Sequence, residues 1–211
     1  MKEIKRKATR WVASLFGITA GIAGAGHGYY EILQGNTRPA GLMISSIGPP
    51  CVPAETWNTC EPAMTIIPNF LITGILAVLI GLIILLWSAA YMQHKHGGIV
   101  LILLSVALLL FGGGFFPPLI GIIGGVAGIW INKSLIGKRP NIILRFGAGL
   151  WPWPLAIFLI WVFGQVVMGS LFNDFTQQIM GYGVLLILAM LPLSVFSAYA
   201  HDVQDFSGGR I

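Results

Sequence analysis

The stretch that decides the fold runs from Met64 to Tyr91, "MTIIPNFLITGILAVLIGLIILLWSAAY", 28 residues without one charged side chain. A helix needs about 20 apolar residues to cross roughly 30 Å of hydrocarbon, so this run alone is long enough to span a bilayer. Five further apolar runs lie at residues 11–33, 98–114, 117–131, 151–172 and 181–200 of the 211. With 56% hydrophobic and only 9% charged side chains, the chain lacks the polar surface that a water-soluble domain requires. No alternating ten-residue pattern marks a β-barrel. The expected fold is an all-α integral membrane protein, a six-helix transmembrane bundle forming one domain over residues 1–211.

The first run follows "MKEIKRKATR", a basic start shared by secretory signals and by first spans. It is too long for a signal and no small-residue cleavage site follows it, so it reads as a retained span. Placing both termini in the cytoplasm puts 11 of the 12 lysines and arginines inside, with Arg38 alone outside. Trp11, Trp87, Trp130, Trp151 and Trp153 then fall at or near the cytoplasmic boundary, where an amphipathic indole is favoured. The expected location is the cell membrane, multi-pass, with the bilayer as the first partner. Inner-leaflet headgroups suffice for the net charge of +5, and no nucleic acid is called for.

Residues 34–63 form the sizeable external loop and hold both cysteines, in "CVPAETWNTC". The pattern predicts a disulfide between Cys51 and Cys60 that pins the loop, worth roughly 2–3 kcal/mol by loop-closure entropy. The spacing matches neither a zinc nor a thioredoxin-like motif. Further along, "LLLFGGGFFPPLIGIIGGVAGIWI" breaks one helix and starts another. Each arm, at about 15 residues, reaches only about 22 Å. Two arrangements fit: short third and fourth spans joined by a tight external turn, or a re-entrant hairpin whose freed backbone is bonded within the protein. Residues 141–150 read as a cytoplasmic interfacial helix with Arg145 toward the headgroups, and Pro152 and Pro154 suit the first turn of the fifth span.

On the first span Gly17, Gly21, Gly24 and Gly28 form a smooth stripe that another helix can approach closely. His27 and Glu31 lie on or beside it, four residues apart, and so point into the bundle as an acid–base pair able to share a proton. Tyr30, Asn69 and Gln165 fall at the same external level. With Tyr29, Asn36, Thr73, Asp174, Gln177 and Gln178 they outline one polar pocket under the loop. Two readings of the pair stand: a hydrogen-bonded structural contact, or a site for a lipid headgroup, a quinone, another small ligand or a proton. A metal site is disfavoured, since His27 and Glu31 are two ligands where three or more are usual, and Met43 and Met64 read as packing. Gly121–Gly125 and Gly124–Gly128 are further helix-packing pairs. His94 and His96 read as a solvated loop, and His201, Asp202 and Asp205 as interfacial polarity.

No zinc-protease helix, phosphate loop, serine elbow or histidine-box array occurs, so no catalytic residue is assigned. Four histidines divided between the two sides argue against bis-histidine haem. The expected function is a non-catalytic structural or accessory subunit of a membrane complex, associating with other subunits or itself and holding a lipid or quinone near the outer leaflet. Two alternatives remain: a small transporter or channel using His27 and Glu31 as its proton or ion site, and a quinone-linked thiol redox enzyme.

Overall fold

The structure, a computed structural model, describes residues 6–48 and 60–208. They form seven helices and one short two-stranded antiparallel sheet. The organising element is α1 (Lys7–Leu33), which packs against α2 (Phe70–Ala90), α3 (Gly97–Leu110), α4 (Phe116–Trp130) and α7 (Asn173–Ser207). Protein surrounds α1 on most sides, which explains a sequence mixing glycine, alanine, threonine, histidine and glutamate. Its side chains need to fit neighbours more than they need to dissolve in hydrocarbon.

The glycine stripe of α1 does what its spacing predicts, and α2 answers it in kind. A Cβ on Gly21 would come within 2.6 Å of the Gly81 carbonyl oxygen, and one on Gly28 within 2.6 Å of that of Gly74. The converse holds from Gly74 and Gly81, so two backbones touch directly at two levels. Gly24 receives Leu108 of α3, and Gly17 receives Ser88 and Leu101. On α4, Gly121 and Gly125 face Ser105 and Ile102 of α3, while Gly124 lies against Phe16 of α1. Away from these contacts α2 is apolar and exposed at Leu79, Leu82, Ile83 and Leu86.

α3 and α4 form a hairpin whose turn, Gly112 to Phe115, reaches the level of His27 and Glu31. Gly112 and Gly114 have φ of +87° and +77°, a region nearly closed to residues with a Cβ. They are also too close to α1 for one: it would collide with the Glu31 carboxylate at Gly112 and with the His27 ring at Gly114. The turn's backbone is bonded to the cap above it. The Gly112 N–H donates to the Met64 carbonyl and the Ile66 N–H to that of Leu110. That cap is a hairpin of β1 (Met43–Ser45) and β2 (Pro62–Met64), with Met43 opposite Met64. The sequence reading placed residue 64 at the start of the second span; it belongs to β2, and α2 begins after the Asn69 cap.

α5 (Ile142–Leu150) is the short helix expected at 141–150, with Ile142, Ile143 and Phe146 exposed and Gly147 and Ala148 buried against α7. α6 (Trp153–Leu171) starts with proline in its first turn as expected and packs along α7. α7 is longer than the apolar run suggested. It starts at Asn173, so Asp174, Gln177 and Gln178 stand on a helix and not in a loop. Asp202 near its other end is no surface polarity: it is buried, and its carboxylate accepts from the Ala8 and Thr9 N–H groups and from the Thr9 hydroxyl at 2.6–3.0 Å. It caps α1, bringing Arg6 and residue 202 to one end of the bundle.

Among the described residues three helical stretches are long and apolar enough to cross a membrane: Phe70–Ala90, Ile142–Leu171 and Asn173–Ser207. α3 and α4, of 14 and 15 residues, are shorter apolar helices. Cys51 lies outside the described residues, and with it the expected Cys51–Cys60 bond.

Candidate functional site

A cavity of about 630 Å³ lies between α1, α4, α6 and α7 beneath the cap, within the roughly 300–1,000 Å³ usual for small-molecule sites. One face of α1 lines it at Thr19, Ile22, Ala23, Gly26, His27 and Tyr30, a run of helical neighbours covering about 16 Å of axis. α7 contributes one stripe, Asn173, Met180, Val184 and Ile187, and α4 contributes Phe116, Pro117 and Ile120. About one turn of α1 farther from the cap than Thr19, Phe16 packs edge-to-face on Phe158 of α6, with ring centroids 4.9 Å apart. Apart from that pair α1 and α6 make little direct contact, and the exposed Ile22, Phe163 and Val166 edge a side opening between them.

Polarity is graded along this cavity. Away from the cap the wall is Ile120, Ile187, Val162 and Val184, with Thr19 the polar exception. Toward the cap come Gln165, then Ser170, Asn173, Tyr30, His27 and Glu61. The His27 Nε2 lies 3.5 Å from Glu61 Oε2, the one ion-pair geometry at this end among the described residues. Burial pushes the Glu61 carboxyl up to about 7. The His27 Nδ1 and the Thr19 hydroxyl have no hydrogen-bond partner among the described residues, although both side chains are buried. Among the described residues no lysine or arginine lines the cavity.

The expected pairing of His27 with Glu31 does not form; each has its own partner. Four residues along a helix brings two side chains near, but here they diverge around the hairpin turn, His27 over Gly114 and Glu31 over Gly112. Glu31 is fully buried outside the cavity and accepts one hydrogen bond, from the Ser46 hydroxyl at 3.0 Å. Ser46, itself buried, also donates to the His27 carbonyl at 3.1 Å, tying the cap to α1.

Of the remaining expected residues, Tyr30 and Gln165 line the cavity and Asn69 does not. Asn69 caps α2 through the Ile72 N–H and donates to the Asn36 side chain on the exposed surface. Thr73 is likewise elsewhere, hydrogen-bonded to Thr65. Thr19, Glu61, Ser170 and Asn173 are the polar lining residues that sequence reasoning missed. For Asn173 a signal existed, since it lies seven residues before Met180 on one helical face; for Glu61, in a proline-rich loop, none did. Among the described residues no three histidines, cysteines, aspartates or glutamates converge as a metal site would require.

Compared with protein-family models, curated proteins and solved structures, the chain has no match that could carry a function to it.

Proposed function

We propose that the chain is a non-catalytic integral membrane protein that holds an amphiphilic molecule, of lipid or quinone type, in the cavity between α1, α4, α6 and α7. The observation that carries this reading is the graded lining: a well about 16 Å long, mostly apolar, with its polar groups other than Thr19 gathered at one end. That depth is about half of a roughly 30 Å hydrocarbon core, so a ligand lying in it occupies one leaflet. The side opening is bordered by Ile22, Phe163 and Val166, which suits arrival from lipid and not from water.

In this reading α1, α2, α6 and α7 cross the bilayer, and α3–α4 enters from the side of the chain ends and stops under the cap. The bonded hairpin turn and the shortness of its arms support the re-entrant arrangement over two complete spans. The chain ends face the cytoplasm, since 11 of 12 basic residues then lie there. The exposed apolar residues of α5, beside Arg145, suit an interfacial helix at that surface.

Gly26 supplies the test. A Cβ there meets nothing within 4 Å and Gly26 lines the cavity, so Gly26→Trp is chosen to place an indole in it. Native mass spectra of protein released gently from its own membrane are expected to show a bound mass in wild type that Gly26→Trp lacks. An identical spectrum for both removes the reading.

One observation favours a second reading, a proton or ion path: the full burial of Glu31 with a hydroxyl as its hydrogen-bond partner. It predicts a proteoliposome flux that Glu31→Gln abolishes. Flux unaffected by that substitution, or none in wild type, counts against it.

A further inference from the structure

Resting on the cavity as an amphiphile site, we propose that it selects by head charge: it takes a single-chain amphiphile with an uncharged, hydroxyl-bearing head. The same chain carrying an anionic or cationic head is rejected.

The polar end offers the Glu61 carboxyl, the Gln165 amide, the Ser170 and Tyr30 hydroxyls, the Asn173 amide and the His27 ring. Hydroxyl groups can donate to the acceptors in this set and accept from its donors. An anionic phosphate or carboxylate would lie near Glu61 with no lysine or arginine among the described lining residues to offset it. Moving such a charge out of water to a place beside a carboxyl, with no cationic partner, is unfavourable. A cationic head fares little better. The position facing Glu61 is already taken by His27, 3.5 Å away and held against Gly114.

The tail follows from the well. Its wall is one stripe of α1 and one of α7, with apolar residues of α4 and α6 between them. This is a slot for one chain, open sideways toward lipid. The head then lies under Ile47 and Glu61 of the cap, so selection falls to residues that sequence order places far from the helices forming the slot.

Three probes sharing one oleoyl or oleyl chain separate the possibilities: monooleoylglycerol, oleoyl lysophosphatidic acid and oleylamine. Each is titrated into the full chain in a non-ionic detergent and read by native mass spectrometry. Monooleoylglycerol is expected to bind one to one, at least about tenfold more tightly than the other two, and to lose binding in Gly26→Trp. Glu61→Gln, a change on the cap and not within a helix, is expected to narrow the gap between monooleoylglycerol and the anionic probe. Binding of the anion or the amine as tight as that of monooleoylglycerol overturns the selectivity. An unchanged gap in Glu61→Gln overturns Glu61 as the selecting group. Failure of every probe to bind in a way that Gly26→Trp removes is a different result, and it overturns the cavity reading beneath the proposal.

Discussion

Single residues carry much of this architecture because the helices approach so closely. Gly28 and Gly74 each leave room for the other's carbonyl oxygen, so a side chain at either must push two backbones apart. Gly28→Leu is expected to destabilise the protein by about 1–3 kcal/mol or more, the usual range for overpacking, read as a lower thermal midpoint in detergent. Gly26→Leu, two residues away, faces open space and is expected to hold or raise that midpoint, since leucine is the better helix former. Glu61 gives a pH signature. Its carboxyl is raised by burial from 4.5 to about 7, so the folded state holds a proton that the unfolded state has released. The stability it contributes is fully present below 4.5 and is lost as pH rises through about 7. Wild type is therefore expected to melt at falling temperatures across that window, by a margin absent from Glu61→Gln.

At the scale of elements, period and length were legible and pairing was not. The α1 stripe, the α5 helix and the proline-led start of α6 follow from spacings within one turn or one run, which any reader of the chain can measure. The β1–β2 pairing escaped because three residues on each strand give no alternation to detect. The His27–Glu61 contact escaped because the loop that delivers Glu61 carries no periodic signal. The adjacency of His27 and Glu31 was read as a partnership, whereas each lies on a different glycine of the hairpin turn. That turn is therefore sensitive: Gly114→Ala meets both a left-handed φ and the His27 ring, and is expected to loosen the cap. Hydrogen exchange at residues 64–66 and 112, whose amides and carbonyls join cap to turn, would register the change.

Across the whole molecule, the polar groups separate into two ends. The cavity mouth and cap lie at one, and the start of α1 with the end of α7 at the other, joined through Asp202. Maleimide that cannot cross the membrane is expected to label Arg38→Cys and Lys138→Cys from opposite faces, in a chain whose own cysteines are replaced by serine. Labelling of both from one face would overturn the arrangement. Asp202→Ala removes three accepted hydrogen bonds and is expected to cost about 1–3 kcal/mol, with Asp202→Asn costing less. Its separation of 193 residues from Thr9 also sets an order of events. A ribosome releases α1 well before α7, so the first turn of α1 waits uncapped while the intervening chain is made. The far wall of the cavity comes from α6 and α7 as well. On the proposed function, a nascent chain thus has no complete well for its ligand until α7 has been made as far as Ile187, and an occupied cavity marks a chain whose beginning is close to being fastened.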